Sequence, residues 1–397
     1  MKRSLILLFL LASLALAYQE KLSQEKIIAL PTSKRLLAPP GNARTTNGLP
    51  VAAVVDPSGR YLALLNAGYG TADSQYRQSI AVLDLATNQL SDFPDPRLRP
   101  YARQALFLGL AFSPDGGKLY ATVGSITDPT GERHGDTGNG IIVYRFKDGR
   151  LAPGTFLPVP LQSVPSRKHI AHDLAKVPPG KAIPYPAGLT AFTQDGREEL
   201  LLADNLSDDV LLLDSDGKLL RRFDLSSGRE IPSTFPYTVV VTHDGRRGFC
   251  SLWNASEVAE LDLARGKVIR RIHLLKPKSA TEAGSHPTAM LLSRDQSLLF
   301  VALSNRDAVA VVDTKKGKLR RLLTTRLPGQ EFAGTFPNAL AESADGKRLF
   351  VADASSDAVA VFDISDLEGE KGEATAQAPL GFIPTEWYPT AVAVRGD

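Results

Sequence analysis

Residues 286–313 read HPTAMLLSRDQSLLFVALSNRDAVAVVD, and this stretch decides the fold. An apolar run, Ala289 to Leu292, meets a polar turn at Ser293-Arg294-Asp295-Gln296. A second run, Leu298 to Leu303, meets a polar loop at Ser304 to Asp307, and a third ends at Asp313. Short apolar runs punctuated by turn formers are β-strands joined by turns. Residues Lys318 to Leu323 supply a fourth run, so the stretch predicts one four-stranded antiparallel sheet.

The pattern recurs on both sides. Pro186, Pro236, Pro287, Pro337 and Pro389 each open a copy, at a step of 50 to 52 residues. The turn aspartates Asp195, Asp244, Asp295 and Asp345 keep that step, as do Asp214, Asp262, Asp313 and Asp363 at the ends of the third strands. Two less regular copies start near residues 50 and 108, with long inserts inside and after the second. Repetition at this period, four strands to a unit, is the signature of propeller blades. A lone sheet cannot bury both apolar faces, so the copies must stack, and closing the stack into a ring removes its exposed ends.

The expected fold is therefore all-β: a seven-bladed β-propeller of four-stranded antiparallel blades opening near residues 50, 108, 186, 236, 287, 337 and 389. The last blade is incomplete, because the sequence stops at Asp397, where copies four to six place their first turn aspartate. That stop suggests a truncated form of something longer; a six-bladed ring with a tail is the alternative.

The strings FSPDGGKLYATV (112–123) and ADGKRLFVADASSDAVAVFD (344–363), with the opening stretch, resemble the YVTN-type β-propeller repeat of bacterial exported and surface proteins. The run GFIPTEWYPTAV (381–392), together with Leu30-Pro31-Thr32, resembles exported proteins in which such a propeller precedes an alkaline-phosphatase-like phosphoesterase domain. The resemblance implies that the catalytic metal ligands belong to that downstream domain, so none is carried over to these residues.

Residues 1–17 combine Met1-Lys2-Arg3, an apolar run from Leu5 to Leu14 and a small-x-small ending at Ala17, the pattern of a secretory signal peptide cut before Tyr18. The run is shorter than the roughly 20 residues a membrane span needs, so no stable span is expected. Export places the protein in the periplasm or at the cell surface. Residues 18–49 form an N-terminal segment whose best strand, Ile27 to Leu30, is expected to close the last blade. The formal charge of +3 includes Lys2 and Arg3, and a nearly neutral remainder gives no reason to expect nucleic acid as a partner. Basic pairs such as Arg270-Arg271 fall on predicted outermost strands, where lysine and arginine protect an edge. The single cysteine, Cys250, excludes an internal disulfide or a paired-thiol metal site and is expected to be a buried, inert thiol.

Alternating strands put the second-to-third loops and the blade-to-blade links on one face. The long insertions 66–78, 124–140, 151–185, 325–335 and 365–388 are all expected there. On that face an aromatic or imidazole residue precedes each opening proline: Tyr185, Phe235, His286, Phe336 and Tyr388. They either ring a channel mouth suited to a sugar, peptide or aromatic ligand, or pack beneath the neighbouring blade. His169, His172 and Asp173 form the best metal-like string, to which His134 or Asp136 would have to add a ligand; without one the cluster is a surface hydrogen-bonding patch. No cofactor is expected beyond this possible metal. The loop aspartates Asp208, Asp307 and Asp357 are expected to bond local backbone.

No G-x-S-x-G, H-E-x-x-H or C-x-x-C-H string occurs. The expected function is an exported, non-catalytic binding or scaffolding module, the propeller part of a phosphoesterase-type protein. Its partners would be a small molecule, peptide or glycan at the loop-rich face and the phosphoesterase domain. One alternative is a lactonase-like sugar-ester hydrolase with His286 paired to Glu331 or His169; another is a cell-surface structural repeat protein.

Overall fold

Six of the copies fold as four-stranded antiparallel sheets in the computed structural model, which describes residues 28–29, 35–36, 39–68, 77–99, 102–171, 177–277, 279, 282–367 and 376–396. The blades span residues 50–94, 105–158, 186–224, 236–273, 287–324 and 337–384, and in each the strands are hydrogen-bonded in chain order. Inner strands of successive blades touch from Pro50–Val55 through Ala105–Phe112, Pro186–Gln194, Pro236–Val241 and Pro287–Leu292 to Pro337–Glu342, so they surround a common axis.

The apolar side chains collect between the sheets. Five hydrophobic clusters serve the five contacts between successive blades, from Leu65 with Leu119 between blades one and two to Phe300 with Phe362 between blades five and six. This follows from sheets buried on both faces: Leu298–Leu303 and Ala308–Asp313 are buried along their whole length. Cys250 is one of these core residues, and burial pushes its thiol up from the ordinary range.

From blade two to blade six a hydroxyl steps from one blade to the next near the axis. Thr122 donates to the Ala187 carbonyl (3.0 Å), Thr190 to Val239 (2.8 Å), Ser251 to Thr288 (3.0 Å) and Ser304 to Pro337 (2.9 Å). Thr390 makes the same type of bond to the Pro50 carbonyl, while Arg395 reaches the Leu85 carbonyl and the Gly396 carbonyl accepts from Ala344. Residues 389–396 thus lie between blade six and blade one without forming a sheet. Among the described residues the six-bladed ring with a tail, the alternative from sequence, is the arrangement found.

Two expectations about the chain's ends need correction. Ile28–Ala29 pairs antiparallel with Arg35–Leu36, not with a blade, so these residues do not close the ring. The outermost strand of blade six is Gly381–Pro384, paired with Ala358–Asp363. Residues 364–380 are therefore a third-to-fourth connection, which leaves the sheet on the face opposite the other inserts. Sequence spacing places Gly381–Pro384 within the link 365–388, because it does not say which neighbour a late strand joins. Residues 1–17, read from sequence as a signal peptide, lie outside the described residues.

Candidate active site

Every inner strand carries a bulge near its start, directly after the opening proline in five of them, as between Pro236 and Val239 or Pro287 and Met290, and after Leu106 in blade two. Bulges re-aim side chains and are common beside functional sites. The residue before the strand is more unusual: Leu49, Phe235, His286, Phe336 and Tyr388 all have φ between 39° and 57°, directly before a proline. Left-handed backbone is disfavoured for such side chains and persists only where the surroundings enforce it.

Those surroundings are supplied by the preceding blade. Asp208 accepts from the backbone N–H groups of Ser233 (2.6 Å), Thr234 (2.9 Å) and Phe235 (3.0 Å) and from two hydroxyls. Asp307 accepts from Gly334 and Thr335, and Asp357 from Tyr388. In the fourth copy Ser256 takes this place and accepts from the Ser285 N–H at 2.9 Å. These side chains do not serve local turns, as expected from sequence; they clamp the link to the next blade and set the direction of its mouth residue.

The aromatic residues of the mouth form two groups. Tyr185 meets Phe107 edge to face at 5.3 Å, and Phe107 meets Tyr237 at 6.1 Å. The Tyr185 ring rests against Gly124, where a Cβ would lie 2.9 Å from it. In the second group Phe235 approaches Trp253 at 6.2 Å, and Trp253 stacks on His286 at 3.9 Å. Phe336 and Tyr388 share the backbone position, and Tyr388 is close enough for Tyr237 to feel its phenol electrostatically.

Burial sets the protonation of this mouth. It lowers the His286 pKa from the ordinary imidazole value, so the ring is neutral at pH 7. It raises those of Tyr185 and Tyr237, which remain O–H donors. Beneath Tyr185, Asp204 accepts that residue's N–H at 2.5 Å, and burial together with the nearby Asp209 charge holds its carboxyl well above the usual range. Asp209 is raised to about 6 by burial, against the pull of Arg222, its ion-pair partner at 2.5 Å. The links of this face thus carry two aromatic groups, one with the phenols of Tyr185 and Tyr237 and the other with the uncharged imidazole of His286.

The structure treats the other candidates differently. His169 lies exposed on a two-residue strand paired parallel with Glu230–Ile231. His134 is exposed, and Asp136 accepts from the Arg103 N–H instead of facing His169. His172 and Asp173 lie outside the described residues, among which no group of three potential metal ligands occurs. Glu331 is exposed on its link, and His286 packs on Trp253. Phe107, Tyr237 and Trp253 were missed from sequence. A signal existed for Tyr237, the first residue after an opening proline and hence at the inner-strand bulge. Phe107 opens a copy without a proline and gave none.

No family model matches the chain, and no curated protein does. Solved structures do. The periplasmic gluconolactonase of Pseudomonas aeruginosa is 18% identical with a TM-score of 0.62, covering 90% of this chain and 93% of its own. A putative 6-phosphogluconolactonase from Bacteroides fragilis is 17% identical with a TM-score of 0.58 over 91% and 90%. Virginiamycin B lyase from Staphylococcus aureus is 13% identical with a TM-score of 0.54 over 81% and 83%. At this identity the likeness shows the β-propeller fold, and it lends the YVTN-type assignment no direct support. It overturns the expectation of a non-catalytic scaffold attached to a phosphoesterase: propellers covered nearly end to end by this chain carry the names of enzymes, and the lactonase-like alternative is the one they favour.

Proposed function

We propose that this chain is a lactone hydrolase whose substrate sits at the channel mouth. The observation that carries the reading is the half-buried, neutral imidazole of His286 held face to face on Trp253. A base that is unprotonated near neutral pH, yet shielded, is what water activation requires. His286 takes a proton from water as the oxygen attacks the lactone carbonyl. The ring C–O bond then breaks as the His286 imidazolium returns the proton to the ring oxygen, which leaves as an alcohol, giving a hydroxy acid. The phenols of Tyr185 and Tyr237 are the candidate donors to the carbonyl oxygen as negative charge develops on it.

The names of the neighbouring lactonases support this reading. The N-terminal pattern of residues 1–17 supports export, in keeping with the periplasmic name of the Pseudomonas neighbour. The repeat strings support the YVTN-type relationship as the finer description of the fold.

Acid release from δ-gluconolactone and δ-valerolactone at constant pH tests the proposal. The full chain should exceed spontaneous hydrolysis; His286→Ala should lower kcat/KM by about 100-fold, within the usual range for a general base, and Tyr237→Phe by a smaller factor. A rate equal to the spontaneous one for both lactones sinks the reading.

A further inference from the structure

Large apolar side chains left in water are unevenly placed on this ring. Among the described residues, Leu49, Ile126, Leu327, Phe332, Trp387 and Tyr388 stand exposed in loops of the mouth face, Phe332 at 81% and Trp387 at 60%. Of the others, Leu219, Val268, Ile269 and Ile383 lie on outermost strands and Leu380 lies in the third-to-fourth connection on the opposite face, so six of the exposed apolar residues sit on the mouth face against one on the other. Single exposed apolar residues need no explanation, but several on one functional face do.

Their order around the ring sharpens the point. Leu327 and Phe332 belong to the link between blades five and six, Trp387 and Tyr388 to the link after blade six, Leu49 to the entry of blade one, and Ile126 to the loop of blade two. They form an arc running from blade five through the tail to blade two. Tyr185, Tyr237, Trp253 and His286 come from blades three to five and their links, and meet the apolar arc where Tyr185 rests on Gly124 and where Tyr388 approaches Tyr237. One half of the mouth holds the acid–base groups, and the other half offers hydrocarbon.

We propose, resting on the lactone-hydrolase reading, that the substrate is a lactone carrying an extended apolar substituent. Its ring lies against His286 and Tyr237, and its hydrocarbon part crosses the mouth to Leu49, Ile126, Phe332 and Trp387. A polyhydroxylated sugar lactone could stack on Trp387, but it would gain nothing from the aliphatic side chains of Leu49, Ile126 and Leu327. Burying a methylene against such a surface contributes about 0.8 kcal/mol, which is about fourfold in kcat/KM per carbon while the substituent remains on the arc.

Hydrolysis of δ-lactones bearing alkyl chains of increasing length, with δ-gluconolactone beside them, tests the inference on the full chain. The expected result is a rise of kcat/KM by several-fold per added carbon. A flatter slope is expected in Phe332→Ser and Trp387→Ser, both exposed positions, with circular dichroism confirming that each variant is folded. Turnover that ignores chain length, or that favours δ-gluconolactone, overturns this inference and leaves the lactonase reading standing. Absence of turnover with every lactone overturns both.

Discussion

Trp253 and His286 lie face to face, their ring centroids 3.9 Å apart and their planes 27° from parallel. Trp253 follows the second strand of blade four, and His286 precedes the first strand of blade five, so the pair joins two blades at the mouth. The indole keeps water from one face of the imidazole and so disfavours its charged form. Trp253→Ala should therefore move the His286 pKa upward, toward the unperturbed value of about 6.5. A ring-proton NMR titration reads this directly, and the acid limb of any pH–rate profile should shift the same way. A titration curve identical to that of the parent would mean that another neighbour shields the imidazole.

The clamp on Phe235 can be weighed against its simpler counterpart one blade on. Asp208 accepts from five donors of residues 233–235, whereas Ser256 accepts from the Ser285 N–H. Removing a buried acceptor leaves its donors unsatisfied, so Asp208→Ala should cost about 3 kcal/mol and Ser256→Ala about 1 kcal/mol. Urea unfolding of the two variants checks the ranking. Equal losses would show that the left-handed backbone at Phe235 and His286 is held by something else, such as the rigid proline that follows each.

The clamp also marks where sequence reading stops. The repeat of Pro186, Pro236, Pro287 and Pro337 made the blades legible, because apolar alternation and turn chemistry are local properties. The partner of Asp208 is 27 residues away in the chain at Phe235, and nothing in the spacing distinguishes it from an ordinary turn aspartate. The mouth was half legible for the same reason. Phe235 and His286 share a repeat position and could be picked out, while Trp253 touches His286 only because two blades stack. Residues 364–380 were assigned to the wrong face because strand pairing, not sequence distance, decides where Gly381–Pro384 belongs.

Close approach of the inner strands gives a third prediction. A Cβ on Gly109 would fall 2.3 Å from the Ala187 carbonyl oxygen and 2.5 Å from the Thr122 side chain. Backbone cannot yield as a flexible side chain can, and Thr122 also carries the hydroxyl bond to that same carbonyl. Gly109→Ala should therefore destabilise by about 3 kcal/mol, at the upper end of overpacking costs, lowering the urea midpoint. Gly59→Ala tests a different effect, because its Cβ meets open space but its φ of 71° strains any side chain; a smaller loss of about 1 kcal/mol is expected. Equal stability of parent and Gly109→Ala would show that blades two and three can separate.

Asp353 gives the pH dependence its clearest sign. It is fully buried at the end of the second strand of blade six, and burial raises its pKa to about 8, with the Asp307 charge adding to the rise and the Thr325 hydroxyl opposing it. In the unfolded chain the same carboxyl titrates near 3.9. Between these values the native state holds a proton that the unfolded state has released, so stability must fall as pH rises from about 4 to about 8. Below that window both states are protonated, and the penalty vanishes. Asp353→Asn fixes the uncharged form with nearly the same shape, so it should be close to neutral at pH 4 and more stable than the parent by a few kcal/mol at pH 8. Urea unfolding of both proteins across that range isolates the effect, because every other titrating group contributes alike to each. A constant difference between them would mean that Asp353 is ionised in the folded ring, and that a cation or ordered water compensates its charge.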